Sequence, residues 1–166
     1  MISLEWTPEA YSSMDEITIR KATHADMETL LQFEQGVISA ERPFDPTLKE
    51  SGVKYYDLEG MLTLPHIYLV VAELKGEVIA SGYARVETVK PYLKHAKHGF
   101  LGFMFVAPQH RGKGVNKKVM DALTAWVKTF GITELRLEVY HENAPAIKAY
   151  EKIGFIRHML TMRKGI

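Results

Sequence analysis

The segment Phe103-Met104-Phe105-Val106-Ala107-Pro108-Gln109-His110-Arg111-Gly112-Lys113-Gly114-Val115-Asn116 gathers the residue types best suited to chemistry in this chain. Apolar strand character ends at Pro108, a turn with two glycines follows, and helical periodicity opens at about Val115. Glycine lets a backbone turn its amides toward one point, and a helix start supplies unpaired N–H groups at the positive end of its dipole. Arg111, Lys113, Lys117 and Lys118 add cations beside that point. Such a turn binds an anion, with a phosphate or pyrophosphate as its natural ligand. Taken only as Gly-x-Gly, it serves equally as a connector that ends in a solvated basic helix start. No Gly-Lys-Ser/Thr follows, which excludes a Walker loop, and Lys117 stands where a dinucleotide fingerprint needs its third glycine.

Other chemistries are poorer fits. The seven histidines, His24, His66, His95, His98, His110, His141 and His158, include no His-x-x-x-His pair. His95 and His98 stand closest, in a loop with no carboxylate partner in reach, so no metal is assigned. The absence of cysteine removes thiolate nucleophiles, Cys-ligated zinc and iron–sulfur sites. Lys and Arg number 21 against 20 Asp and Glu, a net charge of +1, where an electrostatic nucleic-acid binder needs a larger excess. No apolar run approaches the roughly 20 residues of a membrane span. Met1 to Trp6 lacks the basic segment and long apolar stretch of a secretion signal. The expectation is a cytoplasmic protein that binds neither nucleic acid nor membrane.

The elements that must position the turn follow from periodicity. A chain of 166 residues, 46% hydrophobic, predicts one globular domain with its own core. Residues 1–14 carry no sustained pattern and read as an N-terminal extension, leaving 15–166 as the domain. Ile17 and Ile19 mark a short strand. Thr23 and Asp26 resemble a capping box ahead of a helix with its stripe at Met27, Leu30, Leu31, Val37 and Ile38. Pro43 and Pro46 break that helix, and a shorter one including Tyr55, Tyr56, Leu58 and Met61 follows. Ile67 to Ala72 predicts a central strand, Lys75-Gly76-Glu77 a hairpin, and Val78–Val89 and Gly99–Val106 two further strands. Val115, Val119, Leu123, Trp126, Val127 and Phe130 form one helical face closed by Gly131. Leu135 to Val139 is a strand, Asn143 to Lys152 a helix, and Phe155 to Met162 a last strand. The fold class is α+β: a mixed, mostly antiparallel central sheet with helices on both faces.

Two stretches carry a family resemblance. Val106-x-Pro108-x-x-Arg111-x-x-Gly114-x-Asn116 resembles the acetyl-CoA motif of the GNAT (GCN5-related N-acetyltransferase) superfamily, with Asn116 where the pattern has Gly or Ala. Gln109-x-x-Gly112-x-Gly114 fits a second register, but sits wrongly against Val106 and Pro108. Leu137-Glu138-Val139, Asn143-x-x-Ala146 and Tyr150-Glu151-Lys152-x-Gly154-Phe155 are similar to the superfamily's second motif. Both motifs stand in the family's order, and small bacterial members of unassigned acceptor are the nearest in kind.

The resemblance implies a V-shaped split between two central strands, Gly99–Val106 and Leu135–Tyr140, with acetyl-CoA or coenzyme A as co-substrate in the split. It implies cofactor contacts from Met104, Phe105, Val106, Arg111, Gly112, Lys113, Gly114, Val115, Asn116, Lys117 and Asn143. Asn143 also has the residue type of a helix cap. The implied activity is N-acetyltransfer to a primary amine, a small amino-acid-like molecule or a peptide N-terminus, by direct attack in a ternary complex. Tyr150 matches the tyrosine that protonates the leaving sulfur; alone, it reads as a helix tyrosine packing on the sheet. Glu138 matches a glutamate proposed as general base, with Glu87, His98 or a water chain as alternatives. Acceptor pockets of the family involve the stretches here at Glu41–Lys49 and Lys90–His98. Arg42 and Arg85 would grip a carboxylate there, while Tyr55, Tyr56 and Tyr92 wall the site. A homodimer is a further expectation from the resemblance. The rival reading is a catalytically silent CoA-binding regulatory module.

Overall fold

A computed structural model describes residues 16–166. The expected extension, 1–14, lies outside the described residues. β1 (Thr18–Lys21), β2 (Ile67–Leu74), β3 (Glu77–Thr88), β4 (Lys97–Val106) and β5 (Leu135–Leu137) form one sheet in that order. The first four strands run antiparallel, and β5 is parallel to β4. Leu69, Val70, Val71 and Ala72 of β2 are wholly buried. Cover on both faces explains why that run is continuously apolar rather than alternating. Lys75 and Gly76 join β2 to β3 with φ of 51° and 82°, the left-handed pair that a two-residue hairpin turn requires.

Helices cover both faces. α1 (Met27–Glu41) starts behind Thr23, whose amide donates to the Asp26 carboxylate at 2.8 Å. Its buried stripe, Leu30, Phe33, Glu34 and Ile38, packs on β3 and β4 and shares a core with α2 (Leu58–Thr63), Leu69, Val71, Tyr83 and Phe103. α3 (Val115–Lys128) buries Val115, Val119, Met120, Leu123 and Val127 on the opposite face, against Val70, Ala72, Ile79, Ala84 and Leu101. α4 (Ala144–Lys152) follows β5. Adjacent residues of β2 thus feed different cores, as a pleated strand must.

Two expected elements differ. Tyr55 and Tyr56 precede α2 instead of belonging to it, because Asp57 caps the helix by accepting from the Gly60 amide at 3.1 Å. Phe155 to Met162 forms no strand, and Ile156, Met159, Leu160 and Met162 are exposed. Alternating apolar residues make a strand only where a neighbour offers a ladder, and β5 is three residues long.

The sheet parts where the resemblance implied. β4 and β5 pair only at Gly99↔Leu135, Phe100↔Arg136 and Leu101↔Leu137, so among the described residues β4 from Gly102 to Val106 has no strand on that side. β4 is also bulged there. Ser81 faces Phe105 and Tyr83 faces Gly102, so Phe103 and Met104 together oppose Gly82. Phe103 takes a φ of 54°, and its carbonyl accepts from the Ser81 hydroxyl at 3.1 Å. A bulge re-aims the strand and ends regular pairing.

Gly99 holds the last pairing before the split. A Cβ there would lie 2.8 Å from both methyls of Val127 and 2.9 Å from Leu135. Gly99→Ala is therefore expected to destabilise the fold by about 1–3 kcal/mol, read in thermal denaturation as a fall of several degrees. An unchanged melting temperature would mean that α3 is free to shift away from the sheet.

Candidate active site

β4 ends at the glycine turn on the side where the sheet opens. Pro108–His110 form a short 3-10 turn, and Gly112 and Gly114 follow with φ of 72° and 78°. Gly114 caps α3 in the left-handed conformation and has no side chain to bond the helix amides. Asp57 and Asn143 cap α2 and α4 with their side chains. The N–H groups of Val115, Asn116 and Lys117 lack intrahelical acceptors by position and face an uncapped end suited to an anion. Arg111 turns back to donate from Nε to the Val106 carbonyl at 2.9 Å, its guanidinium 5.6 Å from the Phe105 ring. It straps the turn to the strand. Lys117 pairs with Asp121 at 2.6 Å, while Lys113 stands exposed.

Met104 and Val106 lean toward the core under α3; Phe105 leans the other way, 4.6 Å from the Phe33 ring of α1. Asn143 accepts from the Ala146 amide at 3.3 Å and so fills its capping role. Two turns later α4 presents Tyr150, which packs at the edge of the same core as Met104, Val106 and Leu137, with the Phe155 ring at 6.0 Å. Burial, and then the negative charge of Glu41, push the Tyr150 hydroxyl above its ordinary value. Its ring belongs to the α3 side, yet its hydroxyl feels a carboxylate of α1. Raised in this way, the phenol keeps its proton at neutral pH.

The chain between α1 and α2 closes the far side. Glu34 is 1% exposed and accepts from the amides of Tyr55 and Tyr56 at 2.7 and 2.9 Å. A carboxylate in the apolar stripe of α1 thus anchors both tyrosines over the sheet. Tyr56 packs on the Phe103 ring at 4.5 Å. Tyr140 donates to Asp45 at 2.9 Å and stacks on Phe44 at 6.2 Å. Burial and that carboxylate push the Tyr140 hydroxyl up to about 12. Glu41, also raised by burial, bears on the hydroxyls of Tyr55, Tyr56, Tyr140 and Tyr150.

Other residues singled out from the sequence lie apart or are engaged. Arg42 is exposed and donates to the Glu50 carbonyl at 3.0 Å. Arg85 donates to Glu87 at 2.8 Å, and His98 meets the other Glu87 oxygen at 3.0 Å. Burial raises Glu87, but those hydrogen bonds outweigh it and hold the carboxyl below the ordinary range, which makes it a poor proton acceptor at neutral pH. Tyr92 is 76% exposed. Glu138 is exposed just beyond β5, and its charge bears on Tyr83. Among the described residues no group of three His, Asp or Glu side chains could hold a metal, and no helix is long and apolar enough to cross a membrane. Glu34, Glu41, Asp45 and Tyr140 had no individual signal in the sequence. The one available clue was Glu34 and Glu41 standing two helical turns apart on an otherwise apolar stripe.

The model of the acetyltransferase (GNAT) family matches residues 30–155, and the chain belongs to that family. It is 30% identical to the aminoglycoside N(6')-acetyltransferase type 1 of Stenotrophomonas maltophilia over 83% of this chain and 85% of that one. It is 43% identical to the N-acetyltransferase YobR of Bacillus subtilis, over 35% of this chain and only 24% of that protein. The fold superposes with a TM-score of 0.69 on a predicted acetyltransferase from Clostridium acetobutylicum crystallised with acetyl-CoA, at 19% identity, covering 90% of this chain and 96% of that one.

Glu34→Ala is expected to strand two amides and to cost about 2–4 kcal/mol, measured by urea denaturation, with faster proteolysis between Asp45 and Asp57. Glu34→Gln keeps an acceptor oxygen and should recover most of that loss. Equal losses in the two variants would show that Glu34 acts by packing alone.

Proposed function

We propose that this chain transfers an acetyl group from acetyl-CoA to a primary amine by direct attack within a ternary complex. The observation that carries the reading is the parting of β4 from β5 beyond Leu101, at the same end of β4 as the glycine turn and the uncapped start of α3, with Tyr150 packed on the same core as Met104 and Val106. The acetyl-CoA bound by the Clostridium acetobutylicum protein of like fold supports it, as does the named activity of the Stenotrophomonas maltophilia relative.

In this reading the diphosphate sits on the amides from Gly112 to Lys117, where the helix dipole favours negative charge. The pantetheine arm pairs along Met104, Phe105 and Val106, whose edge has no strand partner. The acceptor nitrogen, stripped of its proton, attacks the thioester carbonyl, and amides of the bulged strand stabilise the oxyanion. Tyr150 then gives a proton to the departing sulfur. The chain contains no cysteine to hold the acetyl group in between. An alkylammonium has a pKa near 10, so a base must take its proton. Glu138, exposed just beyond β5, is the base the resemblance implies.

Tyr150→Phe should lower kcat about 100-fold or more, in the range of a lost general acid, while the Kd for acetyl-CoA moves no more than about twofold. Thiol release and calorimetry measure the two. Burial raises the phenol, so the wild-type rate should fall in alkali only above the ordinary tyrosine value of about 10. An unaltered kcat in the phenylalanine variant would remove Tyr150 from the reaction.

A further inference from the structure

Pleat and register bring three side chains together just below the split, on the α1 face of the sheet. Leu101 of β4 and Leu135 and Leu137 of β5 pack into the core under α3, and Gly99 faces Val127 of that helix. Phe100 and Arg136, which alternate with them and pair in the ladder, therefore share the opposite face. On its other side Phe100 is paired with Arg85 of β3. The last rung of this face before the strands part is thus Arg85, Phe100, Arg136.

The next position toward the glycine turn is closed. The Tyr83 ring lies across Gly102, where a Cβ would come within 2.7 Å of it, and Tyr56 covers both Tyr83 and Phe103. Tyr83 and Phe103 are 5% and 2% exposed. The rung below is half-open: the side chains of Arg85 and Arg136 are 38% and 27% exposed, with Phe100 half-buried between them.

Both guanidiniums are held in place without being used up. Arg85 lies 5.4 Å from the centre of the Phe100 ring and 5.8 Å from that of Tyr83, and its Nε and Nη2 donate to Glu87. Arg136 donates from Nε to Glu134 at 3.3 Å. In each case an acid two residues away along the chain fixes one edge of the fork. Among the described residues, Nη1 of Arg85 and both terminal nitrogens of Arg136 have no acceptor. Their backbones stand two strand spacings apart, about 10 Å, a gap that two long side chains close over an apolar floor. Planar N–H forks facing such a floor suit an oxyanion. Glu138, the base named above, follows Arg136 by two residues. An acceptor that carries both charges meets the acid with its ammonium and the arginines with its anion.

We infer that Arg85 and Arg136, on either side of Phe100, bind an oxyanion group of the acceptor, so that the acceptors are primary amines bearing a carboxylate or a phosphate. The assignment rests on the acetyl-transfer reading above. Arg42, exposed and bonded to the Glu50 carbonyl, has no part in it.

The test compares α-amino acids with their own carboxamides, and aminoalkyl phosphates with the matching amino alcohols. Thiol release gives kcat and KM for the wild type, Arg85→Gln, Arg136→Gln and Arg136→Lys, and calorimetry gives the Kd for coenzyme A. The wild type should prefer the anionic member of at least one pair by about tenfold or more, the size of a lost charge-assisted hydrogen bond. The pair with the larger ratio tells carboxylate from phosphate, and this arm needs no variant. Each glutamine variant should lose most of that ratio, chiefly through KM, while the Kd for coenzyme A stays the same and reports an intact fold. Arg136→Lys, which keeps the charge, should recover part of the ratio. Neutral members turned over as well as anionic ones, or a ratio untouched in both glutamine variants, overturns the assignment and leaves acetyl transfer standing. Tight coenzyme A binding without turnover of any amine overturns acetyl transfer itself, and the assignment with it.

Discussion

The parting of β4 from β5 is the constraint on which the rest of this molecule depends. A sheet that opens in its middle leaves the edge of β4 that faces β5 without a strand partner from Gly102 to Val106 among the described residues, and backbone groups are costly when buried and unpaired. The opening is held from both sides. Below it, Gly99 brings β4 against Val127 and Leu135 so closely that no side chain fits. Within it, the bulge at Phe103 and Met104, pinned by the Ser81 hydroxyl, turns the strand away from a regular ladder. The exposed edge is thus built in by packing, and in the proposed function a pantetheine arm, which brings its own amides, completes it as a strand would.

Much of this frame is legible in the residues. The apolar spacing from Val115 to Val127 is helical, and α3 starts at Val115 because two glycines precede it. Lys75-Gly76 is a hairpin by its turn chemistry, and the Thr23–Asp26 box starts its helix. These are local rules, each satisfied within a few residues. What escaped is non-local. Tyr55 and Tyr56 look helical beside Leu58 and Met61, but a carboxylate 21 residues back in sequence takes their amides, and Asp57 begins the helix after them. The bulge at Phe103 leaves no mark, since a phenylalanine with positive φ is held by its surroundings and not by its type. The last apolar stretch has the composition of a strand and lacks a partner long enough to make it one.

The same division runs through the site. The glycine turn and the Asn143-capped helix carry recognisable spacing, so they are readable. The acceptor side is assembled from the end of α1, the loop after it and the residue past β5, which meet only in the folded chain. Its acids break local rules: Glu34 occupies a core stripe and Glu41 a helix C-terminus. Their partners come from elsewhere in the chain: two amides for Glu34, and the Tyr55 hydroxyl beside Glu41.

Charge then sorts the ends of the opening. Lys113 and the uncapped start of α3 make one end attractive to an anion, although the whole chain is nearly neutral at +1. The chain that closes the far side carries acids instead: Asp45 accepts from Thr47 and Tyr140, and burial raises Glu41 near it. In the proposed function the diphosphate is drawn to the first end, and the acceptor must meet the acids and tyrosines of the other.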